Sequence, residues 1–236
     1  WENVSRTSEH NNLGQNFIDP YVNDICIDPD RPDTVYAVTG FEGRGNIYRS
    51  LNGGLTWNSN NPEEWGGLLR IGTAVLTVLC DDGSNYVWAG TRGDGIWFST
   101  NGEDFQQRDI EVPNTVRDNK KASGTGASAT LYAATPTGVY KTVNGGSAWT
   151  RVTDFTGDNI TTLAVHPDDP NTIYAGTQEY GVWYSTNGGN TWTRYTSGLG
   201  TGLKATTPVA DNGNIGSGLM NEVTVGKTTK TETWTV

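Results

Sequence analysis

Short apolar runs, separated by Gly, Pro, Asn and Asp, recur along the whole chain. One run ends near Ala-Gly-Thr and recurs at 35–39, 87–91, 131–135 and 173–177, and the next occupies 46–49, 95–98, 138–141 and 181–184. Runs of about four to eight such residues between turn signals predict β-strands. Because another apolar strand precedes this pair and a further strand follows it, each repeat supplies four short strands. The pattern predicts an all-β chain built of antiparallel hairpins.

The turn between the third and fourth strands is the best-preserved part of each repeat. It has a hydroxyl residue, an Asn two positions later, usually a pair of glycines, and then an aromatic residue. We call these the first to fourth Asn-Gly turns; their hydroxyl residues are separated by 49, 43 and 43 residues. Their members are Ser50, Asn52, Gly54 and Trp57; Ser99, Asn101 and Phe105; Thr142, Asn144, Gly146 and Trp149; and Ser185, Asn187, Gly189 and Trp192.

The residue types of the Asn-Gly turns indicate a structural role. A short polar side chain bonds back to turn amides, and glycine adopts backbone angles closed to other residues. The aromatic side chain is expected to pack between adjacent sheets. We therefore predict that the turns direct local folding and are neither catalytic nor metal-binding.

Four short antiparallel strands per repeat are typical of a β-propeller blade. The sequence predicts a β-propeller of about five four-stranded antiparallel blades, with the Asn-Gly turns between strands three and four. We expect one domain over 1–236, with repeat units at about 23–61, 75–109, 122–154, 159–198 and a degenerate 203–236. Residues 1–5 resemble a fourth strand without its own blade. That strand would seal the ring, belong to a longer propeller, or pair with an open edge of another molecule.

Charge and hydropathy exclude two classes of partner. The formal net charge is -10 with a pI of about 4.6, and no cluster of Lys and Arg suits a phosphate backbone, so nucleic acid is not expected. No apolar run of about 18 residues could span a membrane. A first residue that is Trp rather than Met is typical of a processed or excised chain. We expect an extracellular, cell-surface or periplasmic location.

The few residues that could hold a metal or catalyse a reaction are better explained structurally. Cys26 and Cys80 lie in apolar runs and are expected to be buried free thiols rather than a disulfide. His166 lies in a hairpin, and His10 is far from it in sequence. The acidic hairpin from Asp28 to Asp33 could hold Ca²⁺, but it lacks the spacing of a defined calcium loop. No cofactor and no metal site are expected.

The Asn-Gly turns resemble Asp-box repeats, also called bacterial neuraminidase repeats, of the form Ser-x-Asp-x-Gly-x-x-Trp. Families that carry them include xyloglucanases, sialidases and sortilin-type receptors, so the resemblance also implies a β-propeller. All four turns here have Asn in place of the usual Asp, and the second reaches its aromatic, Phe105, one residue early. Asn retains the carbonyl oxygen that accepts the turn amides, so the replacement suits the same local fold.

The resemblance to xyloglucanases extends to the first repeat but not to the catalytic residues. Trp1-Glu2-Asn3-Val4 and the 28–29 and 35–37 segments look like the opening of that family's first propeller. The resemblance implies a catalytic Asp directly after the Tyr-Ala-x-Thr strand, where this chain has Gly40, with Glu42 two residues later. The partner acid of that family lies in a second propeller. For a sialidase, the sequence offers an Arg triad by count only, namely Arg44, Arg70 and Arg92.

The loops at the end of each blade opposite the Asn-Gly turns carry the candidate ligand-binding residues. Aromatic, carboxylate and guanidinium groups suit sugar stacking with hydrogen bonding, and also suit a protein contact. The candidates are Phe41, Glu42, Arg44, Arg92, Asp94, Glu179 and Tyr180 in these loops, with Trp65 in a connection between blades. We predict a non-catalytic recognition or assembly module that binds a polysaccharide or a protein. The alternatives are a glycoside hydrolase-like propeller and a structural subunit that assembles by exchange of the 1–5 strand.

Overall fold

The computed structural model describes residues 21–41, 44–57, 69–108, 113–155 and 159–195. The described residues form strands and turns, with one short 3-10 helix at Gly126–Ser128 and no α-helix among them. The all-β prediction is therefore confirmed. The predicted extra strand at 1–5 and the degenerate repeat at 203–236 lie outside the described residues.

The described strands form four antiparallel sheets of four strands each. In every sheet, strands that follow one another in sequence are neighbours, which is the arrangement of a propeller blade. The strands of the first two sheets are β1 Val22–Ile27, β2 Val35–Phe41, β3 Arg44–Ser50, β4 Leu69–Ile71, β5 Val75–Cys80, β6 Val87–Thr91, β7 Ile96–Ser99 and β8 Phe105–Arg108. Those of the third and fourth are β9 Asp118–Ser123, β10 Thr130–Thr135, β11 Gly138–Thr142, β12 Thr150–Arg151, β13 Ile160–His166, β14 Asp169–Thr177, β15 Val182–Ser185 and β16 Thr193–Arg194.

The chain divides into two compact units, each containing two sheets. One unit contains β1–β8 together with Asn114–Val116, and the other contains β9–β16. A single domain over 1–236 stays a prediction. The first sheet differs from the expected repeat, because its fourth strand is Leu69–Ile71 and lies beyond the boundary at residue 61. The other three sheets take their fourth strand at the aromatic of the turn or directly after it.

The core of each unit lies between its two sheets. In the first unit, Tyr36, Val38 and Ile47 pack with Val75 and Val78. In the second, a corresponding cluster contains Tyr132, Val139, Ile160, Leu163 and Ile173. The second strand of each repeat is buried on both faces, which explains its nearly continuous apolar sequence, as in β6.

The expectation that Cys26 and Cys80 are free thiols is wrong. The two sulfur atoms form a disulfide that joins β1 to β5, with a Cα–Cα distance of 5.8 Å and a sequence separation of 54. The two residues lie on the first strands of neighbouring sheets, so the packing of the sheets brings them together. The apolar neighbours of each Cys predicted burial, which holds for Cys80 but only in part for Cys26, and they gave no information on the partner.

Candidate functional site

The hydroxyl and the Asn side chain of an Asn-Gly turn organise its backbone through a small set of hydrogen bonds. In the first turn, Ser50 Oγ donates to Asn52 Oδ1 (2.9 Å) and accepts the Gly54 N–H (2.9 Å). Asn52 Oδ1 also accepts the Thr56 N–H at 2.8 Å. The third and fourth turns repeat this pattern, with Thr142 and Ser185 as the hydroxyl residues. The groups named by the sequence motif are thus occupied by bonds within the turn.

The glycine pair is needed for the backbone angles of the turn. In the fourth turn, Gly188 and Gly189 have φ of 68° and 86°, a region that favours glycine. The aromatic residues Trp57, Trp149 and Trp192 are buried beneath their turns. Trp192 also donates from Nε1 to the Gly189 carbonyl oxygen at 3.0 Å. These contacts leave the turn aromatics no surface for stacking on a ligand.

The second turn differs because Glu103 replaces the second glycine. Asn101 Oδ1 accepts the N–H groups of both Glu103 and Asp104 at 2.9 Å, as well as the Ser99 hydroxyl at 2.9 Å. Phe105 begins β8 and is partly buried against the core of the first unit. The early aromatic therefore still packs inward, although the turn before it is shorter.

Each unit has a polar clamp that holds the turn of its second sheet. Tyr36 donates to the Gly102 carbonyl oxygen at 3.0 Å, and Arg49 donates to the same oxygen at 3.2 Å. Arg49 also forms an ion pair with Glu103 at 2.7 Å. Burial raises the pKa of Tyr36, while the nearby Arg49 acts in the opposite direction. Sequence reasoning did not identify this clamp.

The second unit contains the same clamp built on Gly188. Tyr132 donates to the Gly188 carbonyl oxygen at 2.8 Å and Lys141 Nζ donates to it at 2.7 Å. Burial raises the pKa of Tyr132 to about 12. The signal in the sequence is a Tyr on the second strand combined with a basic residue just before the turn hydroxyl. The first and third repeats have this combination, whereas the second has Trp88 and Phe98.

A carboxylate, half-buried in the first unit and buried in the second, also joins the first strands of the two sheets in each unit. Asp24 Oδ2 accepts the Thr77 hydroxyl at 3.0 Å and the Val78 N–H at 2.9 Å. In the second unit, Asp118 Oδ2 accepts the Thr162 hydroxyl at 3.1 Å and the Leu163 N–H at 2.8 Å.

The environment of Asp118 changes its acidity. Burial raises the pKa of the Asp118 carboxyl above its ordinary value, and this outweighs the opposing effects of Lys120 and of the Leu163 N–H. Lys120 Nζ lies 3.0 Å from Asp118 Oδ1. Neither carboxylate was predicted from the sequence, where acidic residues were interpreted only as ligands or catalysts.

The candidate residues Arg92 and Asp94 lie in the β6–β7 loop, at the end of the second sheet opposite its Asn-Gly turn. The register shows this directly, since Gly90 pairs with Ile96 at the loop end and Val87 pairs with Ser99 at the turn end. Thr91 Oγ1 supports the loop by donating to the Gly95 carbonyl oxygen (2.9 Å) and accepting the Asp94 N–H (2.8 Å). Arg92 is exposed and Asp94 is half-buried.

The candidate residues Glu179 and Tyr180 lie in the corresponding β14–β15 loop of the fourth sheet. Thr177 supports this loop in the same way, accepting the Tyr180 N–H at 2.9 Å and donating to the Gly181 carbonyl oxygen at 2.8 Å. Both candidates are exposed, with Tyr180 at 43%. The Arg194 guanidinium lies over the Tyr180 ring, 5.9 Å from its centroid, within the range of a cation–π contact.

The remaining candidates are only partly described. Phe41 ends β2 and pairs with Arg44 at the start of β3, and nothing is described of either side chain. Glu42 and Trp65 lie outside the described residues. The four described candidates divide between the units, with Arg92 and Asp94 in one and Glu179 and Tyr180 in the other.

Two described positions, Gly40 and Asp28, correspond to the sequence-based alternatives of a catalytic acid and of a Ca²⁺-binding hairpin. Gly40 has φ of 140°, which favours glycine, and its N–H donates to the Tyr21 carbonyl oxygen at 3.0 Å. Asp28 is buried and accepts two N–H groups of its own hairpin together with Arg31, whose Nη2 lies 2.6 Å away. Within the described ranges, no group of three or more His, Cys, Asp or Glu side chains could hold a metal ion.

No helix among the described residues is long and apolar enough to cross a membrane.

No family model and no curated protein matches the sequence. Among solved structures, an ancestral GH74 enzyme is 27% identical over 77% of this chain, with a TM-score of 0.60. YCF48 from Cyanidioschyzon merolae is 15% identical over 79% of the chain, with a TM-score of 0.55. The extracellular domain of a putative hybrid two-component system from B. thetaiotaomicron is 14% identical over 76%, with a TM-score of 0.56.

These matches, together with the four-stranded sheets, show that the chain has a β-propeller fold. The chain spans only 25% of the GH74 enzyme, 58% of YCF48 and 25% of the B. thetaiotaomicron domain. The expected relation to β-propeller proteins is confirmed at the level of the fold. The narrower resemblance to Asp-box proteins and the number of blades stay predictions.

Proposed function

We propose that the chain is a non-catalytic extracellular recognition module that binds a polysaccharide through the sheet ends opposite the Asn-Gly turns. The observation that carries the proposal is the β14–β15 loop, where an exposed Tyr180 ring has the Arg194 guanidinium over it and Glu179 beside it in sequence. An exposed aromatic ring with charged hydrogen-bonding groups around it is suited to stacking on a sugar. The Thr177 contacts hold the loop backbone, so the ring is presented on an ordered support.

In this proposal the Asn-Gly turns have a structural role and do not bind the ligand. Their Asn and hydroxyl groups bond within the turn, and their aromatics are buried. A ligand would therefore meet few uncommitted polar groups at that end of a sheet. The opposite loops differ from repeat to repeat, as expected of residues that determine specificity rather than folding.

The extracellular location is supported by the Cys26–Cys80 disulfide, since disulfides persist mainly in oxidising compartments. The similar B. thetaiotaomicron structure is an extracellular domain, although at 14% identity it supports only the fold. The net charge of -10 suits a protein that is not directed to nucleic acid.

The alternative of a glycoside hydrolase is favoured by the 27% identity to a GH74 enzyme. Against it, Gly40 stands where the xyloglucanase resemblance implies a catalytic Asp, and its backbone angle of 140° favours glycine. Acid–base hydrolysis of a glycosidic bond requires two carboxyl groups on either side of that bond. We therefore propose that the chain binds the polysaccharide without cleaving its glycosidic bonds.

A second candidate function is assembly through a protein partner. β1 is an edge strand of its sheet, and its side chains Ile25 and Ile27 are 55% and 58% exposed. An apolar edge strand is a surface on which another strand could pair. The predicted exchange of the 1–5 strand would use such an edge.

The test is to incubate the purified chain with immobilised xyloglucan and other plant and bacterial polysaccharides, and to measure retention and new reducing ends in the same samples. We expect retention on at least one polysaccharide without release of reducing ends. Release of reducing ends would instead establish the hydrolase. Failure to bind any polysaccharide, combined with concentration-dependent self-association in sedimentation, would favour assembly.

A further inference from the structure

In all four Asn-Gly turns the Asn is exposed and is followed directly by glycine. This order matters chemically, because the amide nitrogen of the next residue can close a five-membered ring on the Asn side-chain carbonyl carbon. Glycine has no Cβ to hinder that approach. The four turns therefore present the same potentially reactive pair, in the environments of Asn52, Asn101, Asn144 and Asn187.

The glycine nitrogen is engaged in three of the turns. Gly53, Gly145 and Gly188 donate their N–H groups to the carbonyl oxygens of Asp33, Ala129 and Asn171, at 2.9, 2.9 and 2.8 Å. In the part of the chain that the structure describes, the Gly102 N–H makes no corresponding bond to a carbonyl of the hairpin before it. Attack by the Gly102 nitrogen thus requires no such bond to break.

The Asn101 side chain is also the most polarised of the four. Its Oδ1 accepts three donors, the Ser99 hydroxyl and the N–H groups of Glu103 and Asp104. In the first and fourth turns Oδ1 accepts two, a hydroxyl and one N–H. Donors directed at an oxygen stabilise the negative charge that develops when its carbonyl carbon is attacked.

We propose that Asn101 is a site of spontaneous deamidation, selected by the structure from the four equivalent pairs. The Gly102 nitrogen forms a bond to Asn101 Cγ and loses its proton. The bond from Cγ to Nδ2 breaks, and the nitrogen leaves as ammonia with that proton. Water then opens the resulting succinimide at either carbonyl, which gives aspartate or isoaspartate at position 101. No oxidant, enzyme or metal is needed.

The product changes the electrostatics of the turn. Asn101 Nδ2 donates to Asp104 Oδ2 at 2.8 Å, so deamidation replaces a donor by a carboxylate beside another carboxylate. In the first and fourth turns, Nδ2 meets the Thr56 and Thr191 hydroxyls, which could donate to a carboxylate instead. Because the Gly102 carbonyl oxygen is bound by Tyr36 and Arg49, isoaspartate at 101 would disturb the clamp of the first unit.

The test is to incubate the folded protein in mildly alkaline buffer and to quantify deamidated and isoaspartyl peptides by mass spectrometry. We expect position 101 to react about fivefold faster than positions 52, 144 and 187, the factor that one ordinary hydrogen bond provides. The same incubation in guanidinium chloride is the matched control, and there we expect the four rates to converge. Equal rates in the folded protein, or the same excess at 101 after unfolding, would overturn the proposal.

A variant completes the test. Asn101→Gln should abolish deamidation of the peptide that contains position 101 and leave the deamidation rates at the other three positions unchanged. If the peptide still gained the deamidated mass, the assignment to Asn101 would be wrong. Asn212, which is also followed by glycine, lies outside the described residues and is not among the compared sites.

Discussion

Tyr36 donates a 3.0 Å hydrogen bond from its hydroxyl to the carbonyl oxygen of Gly102, which lies 66 residues away in the neighbouring sheet. Tyr132 makes the equivalent bond to Gly188 in the second unit at 2.8 Å. The turn that looks self-contained in sequence is therefore also the point at which one sheet holds the next. This relation gives the Asn-Gly turns a role in packing the sheets as well as in reversing the chain.

Replacing Tyr132 by Phe should destabilise the second unit by roughly 1 kcal/mol, the usual net value of a hydrogen bond. The loss should be moderate because Lys141 still donates to the Gly188 carbonyl oxygen. The difference should diminish in alkali. Burial raises the pKa of Tyr132 to about 12 in the folded state from its ordinary value of 10.0, so the stability it contributes is complete below pH 10 and is lost toward pH 12.

Urea unfolding of wild type and Tyr132→Phe near neutral pH and in alkali would measure this difference. Tyr180→Phe is a matched control, since the Tyr180 side chain is exposed and should contribute little to stability. Equal stability of wild type and Tyr132→Phe near neutral pH would contradict the clamp.

Replacing Cys26 and Cys80 together by Ser should lower the free energy of unfolding by about 4 kcal/mol, because the disulfide closes a loop spanning 54 residues. The double variant should unfold at lower denaturant than oxidised wild type and match wild type that has been reduced. Thiol titration of the unfolded, unreduced protein provides the independent check. Recovery of two reactive thiols would restore the original expectation of free cysteines.

The Asp118 carboxylate should give the second unit a distinctive dependence on pH. Burial raises its pKa in the folded state above the unfolded value near 3.8, so the folded state binds this proton more tightly. Wild type should therefore lose stability relative to Asp118→Asn as pH rises from below 3.8 through the raised pKa. Asp154→Asn, at an exposed position, is the control. Parallel pH profiles for wild type and Asp118→Asn would contradict the assignment.

Substitution of Asn by Asp should have different effects in the second and fourth turns. Asn187→Asp keeps an oxygen that accepts the Thr191 N–H, and the Thr191 hydroxyl can donate to the new carboxylate, so stability should change little. Asn101→Asp places a carboxylate beside Asp104 and should cost about 0.5–1 kcal/mol, which is the loss of one hydrogen bond. Chemical denaturation of the two variants in low salt measures the contrast. An equal effect at both positions would show that the Asp104 contact has no energetic importance.

The hydrogen bonds of the Asn-Gly turns were predictable from the sequence, whereas the contacts between repeats were not. The spacing from Ser185 to Trp192 predicts a turn because its hydrogen bonds join residues a few positions apart. The Cys26–Cys80 bond and the Tyr36–Gly102 bond join residues more than 50 positions apart. They depend on how neighbouring sheets pack, which a periodic pattern does not specify.

For the candidate loops, the position in the sheet was predictable but the side-chain contacts were not. The positions of Asp94 and Tyr180 at the loop end of a sheet follow from the order of strands, and the strand registers agree with that order. The contact of Arg194 with the Tyr180 ring did not follow from the order of strands. Tyr180 precedes β15 and Arg194 follows it in sequence, and the repeat pattern does not specify which of their side chains meet. The Thr91 and Thr177 bonds that support the loops were also missed, although β6, β10 and β14 all end on a threonine.

The proposal that ligands bind at the loop end of the sheets is tested most directly by comparing two single variants of the second unit. Tyr180→Ala removes the exposed ring at the loop end, while Val143→Ala alters a 64% exposed side chain in the third Asn-Gly turn. The affinity for a polysaccharide that binds the wild-type chain, measured by isothermal titration, should fall roughly tenfold for Tyr180→Ala, as expected on truncation of an aromatic anchor. It should be unchanged for Val143→Ala. Wild-type affinity of Tyr180→Ala together with weakened binding by Val143→Ala would contradict the account.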